Sequence, residues 1–298
     1  MTNFYQLAAS NKAKSNLTIA LFIGFVTATT YIVSQAFGYG PDAVLGALVF
    51  SSVGSLVSYF KSDQIVLSIS GAKEANRNEH FDFYTVAQNL SQVAKLPMPK
   101  LYVIEDTALN AFATGRDPQH AAVAATTGLL DKLSRTQLEG VVAHELSHIK
   151  NYDTRLMTIV AILVGTLTML GDWFFRIRFA KDKDDREGSQ FQAITMIIGF
   201  VLVLLSPIIA QLIQLAISRR REFLADASAV SLTKYPEGLA SALEVLSRDR
   251  EPLEVANKAT AHLYISDPLK NLHSQVGWFA NLFNTHPPIG ERIRALRG

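Results

Sequence analysis

Two long stretches without a charged side chain, both near the N-terminus, limit what this chain can fold into. The first runs from Ser15 to Pro41 and the second from Ala43 to Phe60, with a turn-like sequence at Gly38–Asp42 where they meet. A helix needs about 20 mostly apolar residues to cross a bilayer, and residues 17–37 and 43–60 meet or approach that length. We therefore predict that residues 1–60 form a transmembrane hairpin; two helices buried in a protein core are the alternative.

The lysines around this hairpin predict its orientation. Lys12 and Lys14 precede the two spans, Lys61 and Lys73 follow them, and the connecting turn has neither lysine nor arginine. Basic residues close to membrane spans are retained on the cytoplasmic side. We therefore expect both ends of the hairpin to lie in the cytoplasm.

The composition agrees with a membrane protein and excludes several other classes. Hydrophobic residues make up 49% of the 298 residues, whereas charged residues make up only 18%. The formal net charge of +2 gives no electrostatic argument for a nucleic-acid partner. The chain has no cysteine, which excludes disulfides, thiolate metal sites and a cysteine nucleophile.

Residues 61–155 have the pattern of a soluble domain. Helical spacing of apolar residues predicts a helix over His80–Leu96, which ends before Pro97. Ser134 and Gln137 have the spacing of a capping box, which predicts that another helix begins just before Gln137. Three short β-prone runs predict strands at Leu101–Ile104, Asn110–Gly115 and Ala121–Thr126.

Residues 156–217 are apolar again and predict a second transmembrane hairpin, with spans at about 156–175 and 194–214. The connecting loop, Arg176–Glu187, contains three arginines and two lysines. A second full hairpin would place this loop outside, against the usual distribution of basic residues. Partial insertion, or packing against the first hairpin, is therefore the alternative. Residues 218–298 are soluble in character, and we expect them to be mostly helical.

The sequence His144-Glu145-Leu-Ser-His148 lies on the predicted capped helix. Residues four apart share one face of a helix, so the two histidines can direct their ring nitrogens to one point. This spacing is typical of sites in which two histidines bind zinc and the glutamate handles the proton of a water molecule. We therefore predict a metal centre with one zinc ion per chain.

A catalytic zinc site requires a third protein ligand. No histidine follows at the short offset of the extended motif, because position 154 is threonine. Glu222 and Asp226 lie on one face of a predicted helix, so one can bind the metal while the other orients a ligand histidine. Both helices adjoin apolar runs, and we therefore expect the active site close to the cytoplasmic membrane face.

Five short motifs in order give the chain its resemblance to a known family. They are Leu96–Lys100, Asn110–Gly115, His144–Asp153, Arg221–Asp226 and Thr285–Pro288. With the apolar runs, they resemble the HtpX family of membrane-bound zinc metalloproteases, relatives of the CAAX prenyl endopeptidases. The resemblance implies a mainly α membrane protein with a small β-sheet, in which a zincin-like (gluzincin) domain carries two transmembrane hairpins. That domain would be divided between residues 61–155 and 218–298.

The resemblance also implies roles for individual residues. His144, His148 and Glu222 would bind zinc, and Glu145 would be the general base. Asp226 would accept a hydrogen bond from a ligand histidine, and we expect Asp153 to support the metal-binding helix. His286 would lie near the active cleft as an oxyanion donor, although capping or packing before Pro287 is an equal alternative. An edge strand would pair with extended substrate through Asn110, Ala111, Phe112, Ala113 and Thr114.

The function implied is hydrolysis of peptide bonds in misfolded or damaged membrane proteins, as part of membrane quality control and the stress response. We expect a multi-pass protein of the bacterial inner (plasma) membrane, with its active site facing the cytoplasm and polypeptides as partners. The alternative is a non-proteolytic membrane scaffold or binding protein with a structural zinc site, which four protein ligands would close. A transporter is disfavoured because the apolar runs contain few ionisable residues.

Overall fold

The computed structural model describes residues 4–37, 41–163, 219–254, 260–266, 268 and 287–298. Its first two helices, α1 (Phe4–Phe37) and α2 (Pro41–Phe60), correspond to the predicted N-terminal hairpin and pack against each other. Within the described ranges, no helix meets the combined requirements of length and apolar character for crossing a membrane. The predicted span at 194–214 lies outside the described residues, as do residues 164–175 of the span before it.

Helix α1 buries polar residues and exposes apolar ones. Asn11, Ser15 and Thr18 lie one turn apart on the same face and are buried. Leu17 and Leu21 are each 59% exposed. The outer face of α2 is also apolar, with exposed side chains at Leu45, Leu48, Val49, Val53, Leu56, Val57 and Phe60. The buried side of α1 is therefore polar, whereas exposed side chains of both helices, among those that the structure describes, include many large apolar ones.

A four-stranded sheet forms the centre of the described fold. Its strands are β1 (Lys73–Glu74), β2 (Lys100–Ile104), β3 (Ala111–Gly115) and β4 (Ala121–Thr126), in the order β1-β2-β4-β3. Strands β2 and β4 are parallel, and the other two pairs are antiparallel. The three predicted strands are thus confirmed, and β3 is placed at an edge.

Eight further α-helices lie in the described residues, and some of them pack directly on this sheet. They are α3 (Ser62–Ile69), α4 (Phe81–Ala94), α5 (Thr127–Lys132), α6 (Arg135–Lys150), α7 (residues 153–163), α8 (Arg219–Thr233), α9 (Pro236–Arg248) and α10 (Ile289–Arg297). The fold is therefore mainly α with a small sheet, as predicted. The predicted helix at His80–Leu96 is α4, which ends where Lys95 takes a left-handed conformation before Pro97.

Alternate residues of the inner strands belong to two apolar clusters. Ala113 and Val123 pack with α4, α6 and α9, whereas Phe112 and Ala124 pack on the opposite face with α7 and Tyr264. This alternation follows from the two-residue period of a strand. Because β3 and β4 are rich in alanine, helix α6 can lie close to the sheet.

Helix α6 is held from its other side by α9. The two helices approach so closely at Gly140 that a Cβ atom there would lie 2.6 Å from the backbone nitrogen of Leu239. That distance is well inside van der Waals contact, so only glycine fits at this position. The sheet and α9 together fix the depth at which α6 presents its side chains.

Candidate metal centre

Helix α6 begins with the predicted capping box, which is confirmed. The Ser134 side chain accepts a hydrogen bond from the Gln137 backbone, and the Gln137 side chain accepts one from the Ser134 backbone. The buried apolar face of the helix comprises Leu138, Val141, Val142, Leu146 and Ile149. With the start of the helix and its buried face fixed, His144, Glu145 and His148 all point into the protein and are at most 5% exposed.

Glu222 on α8 lies opposite the two histidines. Its carboxylate oxygens are 3.7 Å from Nε2 of His144 and 3.6 Å from Nε2 of His148. The two Nε2 atoms are 3.1 Å apart. Within the described chain, these three residues form the one group of histidine and acidic side chains close enough together to hold a metal ion.

The spacing of these atoms fits zinc. Two ligand atoms bound at about 2.0–2.1 Å with tetrahedral angles lie about 3.3 Å apart. The two histidine nitrogens are 3.1 Å apart, close to that value, and they lie 3.6 and 3.7 Å from different oxygens of the Glu222 carboxylate. Two imidazoles and one carboxylate are also the donor set of a zinc site that leaves a position for water.

Each histidine is backed by a carboxylate on its other ring nitrogen. Nδ1 of His144 is 2.9 Å from Asp226, and Nδ1 of His148 is 3.0 Å from Asp153. Such contacts fix the ring orientation and leave Nε2 available to a metal. The structure thus places both predicted supporting carboxylates beside the predicted ligands.

Arg292 on α10 completes this cluster and was not predicted from the sequence. Its guanidinium donates two hydrogen bonds to Asp226, at 2.7 and 2.9 Å, and lies 3.5 Å from Glu222. It also donates to the carbonyl of Ile265 at 3.2 Å. The side chain is fully buried, so it neutralises negative charge that would otherwise be isolated from water.

These contacts set the protonation of the site without a metal. Burial raises the pKa of Glu145 to about 7, because a charged carboxylate is poorly solvated there. Burial together with the charge of Arg292 lowers the pKa of His144 to about 4. Burial acts in the same direction on His148, but the carboxylates of Asp153 and Glu222 outweigh it and raise the pKa of His148 to about 9.

The pKa of Asp226 is set by opposing effects. Burial alone would raise it, but the hydrogen bond with His144 and the charge of Arg292 outweigh that effect and lower it. Asp226 therefore carries a negative charge between a histidine and an arginine. That charge favours an N–H on Nδ1 of His144, which is the tautomer that leaves Nε2 free to bind a metal.

The predicted substrate strand, Asn110–Thr114, overlaps β3 and adjoins Glu145. The Ala113 backbone lies close enough to the Glu145 carboxylate to lower the pKa of that carboxylate, against the larger effect of burial. Part of the outer edge of β3 is already paired with residues 264–266 of the same chain. Ile265 N donates to the Ala111 carbonyl at 2.9 Å, and the Asn110 side chain donates to the Ser266 carbonyl at 3.0 Å.

This segment was not foreseen from the sequence, and we call residues 264–266 the edge cover. Tyr264 is fully buried and packs edge-to-face on Phe112, with ring centroids 5.0 Å apart. At the other end of β3, Thr158 of α7 accepts a hydrogen bond from the Gly115 nitrogen at 3.3 Å. The backbone of β3 beside Ala113 lies between these two contacts. His286 lies outside the described residues.

Known proteins resemble this chain along nearly its whole length. The family model described as peptidase family M48 matches residues 79–298. A Dictyoglomus turgidum protein named "Protease HtpX homolog" is 43% identical over 298 residues, covering 99% of this chain and 94% of that protein. A Streptococcus pneumoniae (strain Hungary19A-6) protein of the same name is 41% identical over 296 residues, covering 97% of each.

A solved structure shares the fold. The crystal structure of S. mikatae Ste24p aligns with a TM-score of 0.50 at 18% sequence identity, covering 99% of this chain and 67% of that one. At this level of identity, the likeness concerns the fold alone.

Proposed function

The chain belongs to peptidase family M48, and on this premise we propose that it is a membrane-bound zinc endopeptidase of the cytoplasmic membrane face. Membership of this family identifies the chain as a metalloprotease of the HtpX type, as its motifs predicted. The alternative of a non-proteolytic scaffold is therefore disfavoured. The main support for this proposal is that His144, His148 and Glu222 lie close together, with Glu145 buried next to His144 on the same helix.

His144, His148 and Glu222 would hold one zinc ion through the two Nε2 atoms and the carboxylate. Their separations, and the carboxylates behind both histidines, support this assignment. When bound, zinc would lower the pKa of a water molecule and polarise the scissile carbonyl. Asp226 and Asp153 would keep both imidazoles in the tautomer that offers Nε2 to the metal.

Glu145 would be the general base. It follows His144 directly in α6 and is buried within the same cluster. Its carboxylate would take the proton from the attacking water and return it to the leaving amine. Because bulk water is largely excluded, the proton would be transferred between fixed groups.

An extended substrate would pair with β3 around Ala113, where the strand adjoins Glu145. The alternating backbone groups of an edge strand can bind a peptide by strand addition. The edge cover engages the Ala111 carbonyl and would limit pairing on that side. Asn110 would then act by holding the edge cover, and Ala111–Thr114 would form the floor of the cleft.

The membrane assignment rests on the apolar surface of the N-terminal hairpin. Leu17, Leu21 and the outer face of α2 are exposed, and a large apolar surface of this kind indicates contact with a membrane or another protein. Lysines at both ends of the hairpin favour a cytoplasmic location for the catalytic domain. We propose residues 156–217 as a second hairpin, and misfolded or damaged membrane proteins as substrates.

The decisive experiment compares Glu145→Gln with the wild type, both purified in detergent. Metal content and cleavage of casein and of a model membrane protein should be measured on the same samples. Loss of a general base lowers rates by about 10²–10⁴-fold, while zinc content should remain one per chain. Wild-type turnover by this variant would refute the assigned role.

Two further variants make the comparison specific. Glu139→Gln makes the same chemical change at a half-buried position of α6, and it should retain full activity. Among the described residues, Glu139 pairs with Arg135 at 3.6 Å. Glu222→Ala removes the proposed third ligand and should lose both zinc and activity. If Glu222→Ala retained bound zinc with wild-type affinity, Glu222 would not be a ligand.

A further inference from the structure

The buried polar face of α1 contacts the metal centre through one asparagine. Asn11 is 3% exposed, although it lies in a polar segment that precedes a long apolar run. Its side-chain amide donates to Oδ1 of Asp153 at 2.7 Å and to the carbonyl of Asn151 at 2.9 Å. The other oxygen of Asp153 lies 3.0 Å from Nδ1 of His148.

We propose that Asn11 is a positioning residue of the metal centre, which orients Asp153 so that Asp153 can orient His148. The inference rests on the proposed function, because it takes His148 as a zinc ligand. It adds that the N-terminal helix, 142 residues from Asp153 in sequence, is a structural part of the site.

The geometry explains why Asp153 requires a second donor. Asp153 is 2% exposed and lies at the corner between α6 and α7. A carboxylate there can rotate about its side-chain bonds unless both oxygens are held. His148 holds one oxygen, while Asn11 hydrogen-bonds to the other and Arg221 approaches that same oxygen at 3.6 Å. Of these two contacts to the second oxygen, only that from Asn11 lies within hydrogen-bonding distance.

The rest of α1 is docked so that Asn11 stays at this corner. Lys12 lies over the ring of Tyr152 at 4.0 Å, and Asn16 accepts a hydrogen bond from Arg155 at 2.8 Å. Ser15, also buried, donates to the Asn11 carbonyl. The contacts of Lys12 and Asn16 attach α1 to the α6–α7 corner independently of Asp153, and Asn16 provides a matched control.

The test measures zinc affinity by competition with a chelator, using the full chain in detergent. In Asn11→Asp the donor becomes an acceptor of the same shape facing Asp153, so the two carboxylates repel. Altering a partner of a ligand histidine lowers metal affinity by about 10–100-fold. Because Asn11 acts one residue further away, we expect a loss of about tenfold, at the lower end of that range.

Bound Co²⁺ provides a readout that general destabilisation does not change. Its visible absorption depends on ligand orientation, so it should shift in Asn11→Asp and in Asn11→Ala. The control is Asn16→Asp, which makes the same change five residues further along α1 but keeps the acceptor for Arg155. It should match the wild type in zinc affinity and in the Co²⁺ spectrum.

Each outcome bears on the inference. If Asn11→Asp and Asn11→Ala melt at a lower temperature but keep wild-type zinc affinity and the wild-type Co²⁺ spectrum, Asn11 is only structural and the inference is wrong. Asn11→Ala keeps the test valid should the aspartate variant fail to fold. If the wild-type chain itself binds no zinc, the proposed metal site fails, and the inference fails with it.

Discussion

Replacing Arg292 with methionine should destabilise this protein strongly. The substitution replaces the guanidinium side chain with an unbranched apolar one. Asp226 then lacks the two hydrogen bonds at 2.7 and 2.9 Å. It also removes a positive charge 3.5 Å from Glu222. Removing one partner of a buried ion pair costs about 3–5 kcal/mol, because the remaining charge is isolated from water. For a chain of this size, about 2 °C is lost per kcal/mol, so Tm should fall by about 6–10 °C.

The assay is thermal unfolding in detergent, followed by far-ultraviolet circular dichroism, with EDTA present so that metal binding does not contribute. Arg297→Met is the control, since Arg297 lies on the same helix but forms exposed pairs with Glu237 and Glu244. It should change Tm far less. A decrease of less than 2 °C for Arg292→Met would refute the reasoning.

A double-mutant cycle separates charge from packing. In Asp226→Asn combined with Arg292→Met, neither residue is charged, and the asparagine can still accept from Nδ1 of His144. The double variant should therefore be more stable than the sum of the single effects predicts, by about 0.5–3 kcal/mol for residues in direct contact. Additive effects would show that the two side chains do not interact energetically.

Three further predictions concern the scaffold and the metal. Gly140→Ala should lower the free energy of unfolding by about 1–3 kcal/mol, because its Cβ atom would overpack against Leu239. Gly290→Ala should not lower Tm, because a Cβ atom there would meet nothing within 4 Å. Equal Tm values in the two variants would contradict the close contact at Gly140. Zinc at 100 times its Kd should stabilise the wild type by about 2.7 kcal/mol, and a similar rise in Tm for Glu222→Ala would contradict its role as a ligand. Tyr264→Ala should lower the free energy of unfolding by about 3–5 kcal/mol, as for other buried aromatic side chains. An unchanged urea midpoint would show that the edge cover is not firmly packed.

The features that the sequence predicted well are those set by local spacing. The capping box at Ser134 and the four-residue interval between His144 and His148 both fix geometry within one helix. The three strands were bounded by proline, glycine and polar residues that end regular structure. Local spacing was not sufficient to identify Glu222, because it lies on another helix. Its identification rested on the resemblance and on an acidic pair at helical spacing.

Arg292 was not predicted as part of the metal centre, although its position in the sequence contains a signal. It lies on the same face of α10 as Ile289, Ile293 and Leu296, which pack against the core. A charged residue at an apolar position of this kind is the signal that could have identified it. Its partner, Asp226, is 66 residues away, and nothing local indicates which acidic residue an arginine will meet. Asn11 gave no such signal, because its burial depends on how α1 docks on the α6–α7 corner.

The edge cover has a consequence for the behaviour of this protein at high concentration. An open sheet edge is a template on which other chains can pair and aggregate. Here β1 has only two residues, and the opposite edge is occupied at Ala111 by Ile265 and at Gly115 by Thr158. A variant in which residue 265 cannot donate, such as Ile265→Pro, would leave the Ala111 carbonyl unpaired, and we would expect it to self-associate through β3. The contacts that limit where a substrate can pair thus also protect the sheet from pairing with a second copy of the chain.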